Sequence, residues 1–357
     1  VRFLLLALLT GCSAAPSDLE RHVRFLASDE MKGRDNGTPE GAKAAEYVAE
    51  QFRKAGLKPG ANGGWFHAFE WRGISGRNVV GLLEGEKKDE YIVVGAHHDA
   101  RGVQNGKVQN GADDNATGVA AVIELARSFA GTKPARSMLF ISFDAEEDGL
   151  VGSREFVKAE LYPSTSFAAM FVFDLVGGTL IPGDENRLYA LGAEYSPQLW
   201  DRVGRARGLD VVRSGIYLLE PIAGMARSDY HAFREKGVPF VFFSTGTPWY
   251  YHTEHDDPEV VDFGKLRCVV ECARDVIAET AADPKRPEFK GPRMPAEDLE
   301  TVRTSLDRAL ALKMDDALRE SAVKIRAELG ALSEPDVKKL QQAMMILFRI
   351  VRSQGTP

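Results

Sequence analysis

The stretch YIVVGAHHDA, running from Tyr91 to Ala100, sets the frame for the whole chain. Tyr91 to Ala96 is a short apolar run rich in β-branched residues, which reads as a buried strand. It ends in His97-His98-Asp99. Along an extended segment alternate side chains share a face, so His97 and Asp99 point one way and His98 the other. An imidazole that binds a cation through one ring nitrogen is oriented and made more basic by a carboxylate on the other nitrogen. Asp99 is therefore expected to support His97, whereas His98 is expected to be a satisfied buried or partly exposed histidine.

The same arrangement recurs along the chain. Asp114, in GADDNATG, precedes an apolar helix expected over Val119–Ala130. A strand over Met138–Phe143 runs into FDAEEDG, with Glu146 and Glu147 adjacent. A strand over Ala168–Phe173 ends at Asp174. Another, Val238–Phe243, is entered through Gly237 and Pro239 and leads to the loop holding His252. Before these come helices expected over Asp18–Ala27 and Thr38–Ala55, a strand over Asn78–Glu84 and a turn over Gly85–Glu90. Strands alternating with helices imply an α/β fold: a mixed, mostly parallel central sheet with helices on both faces. Such sheets bind ligands in the crevice beyond the carboxyl ends of their strands. His97, Asp114, Glu146, Glu147, Asp174 and His252 should converge there, as a site for two divalent metals.

Each acid has its own chemical logic. A carboxylate at Asp114 lies near a helix N-terminus, which favours its anion, and its two oxygens can bridge two cations. Its neighbour Asp113 is expected to point outward. Of the adjacent pair, one glutamate can bind metal while the other stays free to move a proton. A lone acid after the apolar run ending at Phe173 must be paired or bind a cation, because burying a free carboxylate is costly.

Composition narrows the classes. The 357 residues are 44% hydrophobic and 27% charged, with a net charge of −7. No basic block or basic-aromatic stripe is present, so nucleic acid is not an expected partner. No apolar run approaches the ~18 residues of a membrane span. Arg2, the run Phe3–Leu9 and then Thr10-Gly11-Cys12 describe a secretory signal. Leu9-Thr10-Gly11-Cys12 also resembles a bacterial lipobox. Residues 1–16 are thus expected to be signal and spacer, with lipid on Cys12 as the membrane anchor. That places the protein in the cell envelope, outside the cytoplasm, facing the periplasm where two membranes exist, or otherwise secreted. Cys268 and Cys272 read as small core residues of a helix, with a disulfide at that spacing as the alternative.

Near Asp283-Pro284 the character shifts. DPKRPEFKGPRMP forms a linker over 283–295, and 296–357 reads as an all-helical appendage to a catalytic domain over 17–282. Ser333 is the expected N-cap of its last helix, with Val337, Leu340, Met344, Leu347 and Val351 on one apolar stripe. The appendage is expected to pack on the main domain and add stability.

The ordered set G-A-H-x-D, G-A-D-D-N-A-T-G, E-E-x-G-L-x-G-S, a strand-terminal Asp, S-D-Y at 228–230 and H-T-x-x-D resembles the co-catalytic dizinc exopeptidases. That family includes bacterial leucyl-type aminopeptidases and glutamate carboxypeptidase II, and glutaminyl cyclases share its fold. The resemblance covers roughly residues 18–280. It implies one metal on His97 and Asp174, a second on Glu147 and His252, and Asp114 bridging them. Glu146 would be general base and acid, Asp99 the support of His97, and Tyr251 an oxyanion stabiliser. It also implies a cis peptide between Asp114 and Asn115. His98 and Ala100 stand where Tyr and Ser are common in the family, and no protease-associated insertion fits between Gly73 and Gly95.

The expected function is a metal-dependent exopeptidase, most simply an aminopeptidase, in which a metal-bridging hydroxide attacks the first peptide carbonyl. Two Zn2+ suit a mixed imidazole and carboxylate site, with Mn2+ or Co2+ as other occupants. Trp249, Tyr250 and Phe242 are candidates for an apolar side-chain pocket. Arg227 is a candidate for binding a substrate carboxylate, and Asp229 is counted with the substrate residues. The alternatives are a carboxypeptidase or dipeptidase, a glutaminyl cyclase, and a non-catalytic binding protein on the same fold.

Overall fold

The computed structural model describes residues 18–219 and 228–355. Cys12 and the rest of the expected signal, and Arg227, lie outside the described residues.

The chain enters through helices α1 (Asp18–Leu26) and α2 (Pro39–Lys54). Thr38 caps α2, its hydroxyl accepting from Gly41 N at 3.1 Å, which satisfies one orphan donor of the first turn. Strands β1 (Lys58–Pro59), β2 (Phe66–Trp71), β3 (Ile74–Leu83) and β4 (Lys87–His97) follow, then a small hairpin of β5 (Gly102–Gln104) and β6 (Lys107–Gln109). Helix α3 (Thr117–Phe129), strand β7 (Arg136–Phe143), helix α4 (Val151–Lys158) and strand β8 (Phe167–Phe173) form the middle of the body. Beyond them come β9 (Arg187–Leu191), α5 (Pro197–Val203), β10 (Asp210–Ser214), α6 (Tyr230–Arg234), β11 (Phe240–Ser244) and the long α7 (Phe263–Ala282).

The strands order as β1-β3-β7-β4-β8-β11-β9-β10, with β2 also on β3. The central four, β7, β4, β8 and β11, are mutually parallel. Antiparallel pairs flank them at β3 and at the β11–β9 join, and β10 runs parallel to β9. Neighbours on one strand serve opposite cores. Ile92 and Val94 join the cluster under α1, α2, α3, α5 and α7, whereas Val93 joins the cluster under α4 and α6. This period-2 partition is why the central strands read as continuous apolar runs.

Some boundaries differ from those expected. The turn after Gly85 is shorter, because β4 begins at Lys87, pairs with Arg136 and then shifts register before Tyr91. The Glu90 carboxylate accepts from Arg136 Nε at 2.6 Å across this shift. Cys268 and Cys272 are both free thiols, and burial pushes the Cys272 thiol up to about 11.

The C-terminal helices α8 (Glu297–Ala309), α9 (Asp316–Gly330) and α10 (Val337–Ser353) share a core of their own, which also takes in Ile181 and Leu218 from the body. The N-cap of α10 is Asp336, whose side chain accepts from Lys339 N, and not Ser333. Helix α10 therefore starts later, and Val337 at its first turn is exposed while Leu340, Leu347 and Val351 are buried. Among the described residues no helix is long and apolar enough to cross a membrane.

Candidate metal centre

The centre forms at the carboxyl ends of the parallel strands. His97 is the last residue of β4 and is fully buried. Its Nδ1 lies 3.2 Å from the Asp99 carbonyl and 3.4 Å from Asp99 Oδ1. Asp99 is itself fixed, since Oδ2 accepts from Glu147 N at 3.0 Å. His98 faces the other way, and its Nδ1 meets Ser142 Oγ at 3.0 Å.

His97 Nε2 points at three carboxylates: Asp114 Oδ1 at 3.4 Å, Asp174 Oδ1 at 3.6 Å and Glu146 Oε2 at 4.0 Å. The second oxygen of Asp114 lies 3.1 Å from His252 Nε2, which is 3.2 Å from Glu147 Oε2. Asp114 thus shows one oxygen to each imidazole. The donors fall into two groups, His97 with Glu146 and Asp174, and Asp114 with Glu147 and His252. Arg101 stands beside the second group, its guanidinium 3.5 Å from Glu147 Oε2.

These residues fit divalent cations. Two donors each about 2.0–2.1 Å from one ion at a tetrahedral angle lie about 3.3 Å apart, close to the separations here. His97 Nε2, Asp174 Oδ1 and Glu147 Oε1 are buried without hydrogen-bond partners, a costly state that a cation would relieve.

The acids also crowd one another. Burial, then repulsion from Asp174, Glu147 and Asp229, pushes the Glu146 carboxyl well above the usual range, against the pull of His97. Burial raises Glu147 and Asp174 as well. Burial opposes ionisation of Asp114, but His252 and His97 overcome it and hold that carboxyl far below the usual range. Burial would depress His252, yet Asp114 and Glu147 lift it to about 9.

The loops that carry these groups are tied by buried polar residues. The Asp256 carboxylate accepts from Asp113 N at 2.7 Å and Asp114 N at 3.0 Å, joining the His252 loop to the Asp114 loop. The Asp114–Asn115 peptide is cis, and Asn115 Nδ2 donates to the Phe173 carbonyl at 2.8 Å beside Asp174. Asn78 clasps the glutamate loop, accepting from Asp144 N at 3.0 Å and donating to the Gly152 carbonyl at 2.8 Å. A Cβ at Gly152 would sit 2.1 Å from the Asp144 carbonyl oxygen, so that approach requires glycine.

Arg34, fully buried, donates to carbonyls of Leu26 at 3.1 Å, His98 at 2.7 Å and Gly111 at 2.7 Å, and also to Asn110. It holds the segments before Asp99 and before Asp114 in register.

Several sequence expectations need correction or placement. Asp113 does not point outward. It is buried and accepts from Gly177 N at 2.7 Å and from the Tyr250 hydroxyl at 3.1 Å. Tyr250 is thereby committed to Asp113, and Trp249 packs against Gly355 at the chain's end. Neither lines the cleft that opens from the centre, whereas Phe242 and Tyr251 do. The Tyr251 ring stacks on His252 with centroids 3.7 Å apart. Asp229 is buried behind Glu146, its carboxyl raised to about 7 by burial. The appendage does more than pack, because α8 and α10 contribute residues to the same cleft.

The profile of peptidase family M28 matches residues 78–277. The chain belongs to this family. All six converging residues, from His97 to His252, lie inside the matched M28 segment, and Arg34 and the C-terminal helices lie outside it. Among curated relatives, a probable zinc metalloprotease of Pyrenophora teres is 39% identical over 105 residues, 28% of this chain and 23% of that protein. A probable glutamate carboxypeptidase of Arthroderma benhamiae is 30% identical over 196 residues, 50% of this chain and 26% of that protein. The chain spans about a quarter of the length of these relatives. An aminopeptidase from an Aneurinibacillus species shares the fold with a TM-score of 0.59 at 17% identity, over 78% of this chain and 96% of its own.

Proposed function

We propose that the protein is a metal-dependent exopeptidase and, within that class, an aminopeptidase. The carrying observation is Asp114, with one oxygen 3.4 Å from His97 Nε2 and the other 3.1 Å from His252 Nε2. In this reading His97 and Asp174 hold one zinc ion, Glu147 and His252 hold the other, and Asp114 is shared. Lewis acidity at the scissile carbonyl and a more acidic water are what divalent ions supply when bound there.

The remaining steps belong to the side chains. Glu146 takes a proton from the attacking water at its carboxyl oxygen and delivers it to the leaving amine. Its place at the acidic end of the cleft, 4.0 Å from His97 Nε2, puts it beside the reacting bond. Asp99 fixes the His97 ring through Nδ1. Tyr251, at the cleft and stacked on His252, presents its hydroxyl to the oxyanion. The acidic end of the cleft, with Asp114, Glu146 and Asp174, attracts a free α-ammonium group.

The second reading, a carboxy-exopeptidase, has one observation in its favour. Arg101, partly exposed beside Glu147, is a cation able to meet a substrate carboxylate. Hydrolysis of free and N-acetylated aminoacyl anilides, and of N-acetylated peptides with a free carboxylate, by zinc-loaded protein separates the two. Cleavage of the free-amine series alone supports the aminopeptidase. Cleavage only of peptides with a free carboxylate, lost in Arg101→Ala, supports the second. Absence of both, with one metal per chain, would favour a cyclase.

From the sequence alone we also propose an envelope location through lipid on Cys12. Cys12→Ala should move the protein from the membrane to the soluble fraction, and retention in the membrane would defeat this.

A further inference from the structure

We infer that the C-terminal helices are the specificity wall of the cleft, and that they select a large apolar side chain next to the scissile bond. This deepens the exopeptidase reading and rests on it. The cleft opens from the carboxylates of Asp114, Glu146 and Asp174 and is lined mainly by apolar side chains. The body contributes Leu175, Leu191 and Phe242. The appendage contributes Val302 from α8 and Met344, Leu347, Phe348 and Val351 from α10. The α10 residues follow the spacing of three and four that places side chains on one helix face. Apart from the three carboxylates at its acidic end, no charged side chain among the described residues lines the cleft.

A wall selects only if it is fixed. Asp298, at the start of α8, is fully buried and accepts from Ser214 Oγ at 2.6 Å, Tyr217 Oη at 2.7 Å and Gly215 N at 3.2 Å. On α10, Gln341 Nε2 donates to the Tyr217 carbonyl at 3.0 Å. Of the α10 lining, Leu347 and Val351 are also buried in the core of the appendage. Met344 and Phe348, one turn apart, are only half-buried. They are the α10 lining residues that keep exposed surface.

The test uses the full zinc-loaded chain and two variants that change the wall in opposite senses, Met344→Trp to fill it and Phe348→Ala to enlarge it. Turnover of leucyl, phenylalanyl, alanyl and lysyl anilides is compared, and binding of phenylalaninamide and glycinamide is measured by calorimetry. The expected result is a leucyl or phenylalanyl preference over alanyl of about tenfold or more, the scale of apolar pocket discrimination. Met344→Trp should erase most of that preference, and Phe348→Ala should move it toward the larger ring. Phenylalaninamide should bind more tightly than glycinamide, and both variants should change that ratio.

An unchanged preference in both variants, with native circular dichroism, overturns the inference. So does a wild-type preference for alanyl or lysyl substrates. If Met344→Trp does not fold, Phe348→Ala carries the comparison. If no substrate is cleaved, the peptidase reading fails. The titration then decides the cleft by itself, and equal binding of the two amides overturns it.

Discussion

The guanidinium of Arg352, on the last helix, donates to the backbone carbonyl of Tyr251, the residue before His252. It also reaches the Trp249 carbonyl at 3.3 Å. A segment a hundred residues downstream thus holds the loop that carries a proposed ligand, and His252 itself adopts a left-handed backbone with φ of 57°. Both bonds leave from one nitrogen, Nη1, so a lysine ammonium, a point donor on a flexible stem, keeps part of this support. Arg352→Ala should lower metal affinity about 10–100-fold, the usual effect of losing support behind a ligand, and Arg352→Lys should lower it less. Metal titration followed by calorimetry checks this, and unchanged affinity in Arg352→Ala would remove the role given to the helix.

The division of labour between Glu146 and Glu147 is open to a direct comparison. Glu146→Gln should keep both metals and lose about 10²–10⁴-fold in kcat, the range for a general acid–base group. Glu147→Gln should lose metal first, read by elemental analysis after dialysis. Loss of metal in Glu146→Gln would instead mark Glu146 as a ligand. Its Oε2 lies 4.0 Å from His97 Nε2, in the same donor group as Asp174.

Asp256 accepts two backbone amides, those of Asp113 and Asp114. Asp256→Ala leaves both donors buried and unpaired, a loss of about 1–3 kcal/mol for each orphaned group. Urea denaturation should show a destabilisation of about 3 kcal/mol, with weaker metal binding alongside. A fall in stability with no change in metal affinity would mean that the two loops are not mechanically joined.

Stability should decline with alkalinity in a defined window. Glu194 accepts from Ile216 N at 2.8 Å, and burial together with nearby Asp298 raises its carboxyl to about 8. The folded pKa lies above the unfolded value, so the folded state binds the proton more tightly. This contribution is complete below about pH 4.5 and is lost as pH rises toward 8. Wild-type Tm should therefore fall across that window, and Glu194→Gln should flatten the slope. A slope of equal size in the variant would assign it to other groups.

The site was more legible than what supports it. His97, Asp114, Glu147 and Asp174 lie at or just after the end of an apolar run or before an apolar helix, a pattern that survives in one dimension, and His252 was legible only through the H-T-x-x-D motif. Arg34 and Asp256 bond mainly to backbone amides and carbonyls far away in sequence, which leaves no local trace. Asp113 was misread because an acid beside a proposed ligand looks like a solvated one, and its partners Gly177 and Tyr250 come from other loops. Among strands, β4 and β8 stand out as buried runs. β9 and β10 are short, carry charged residues and did not. The cleft wall was illegible for a different reason: a stripe on α10 reports that something covers it, not that part of it lines a cleft.

Arg34 carries one more consequence. The M28 profile starts at residue 78, yet this guanidinium, 44 positions earlier, braces the segments that end in Asp99 and Asp114. Excising 78–277 as a minimal enzyme would discard that brace at one end and Arg352 at the other. The segment recognisable as kin is therefore smaller than the unit that can work, and trimming to the recognisable part would yield a chain with all its proposed ligands and no frame to aim them.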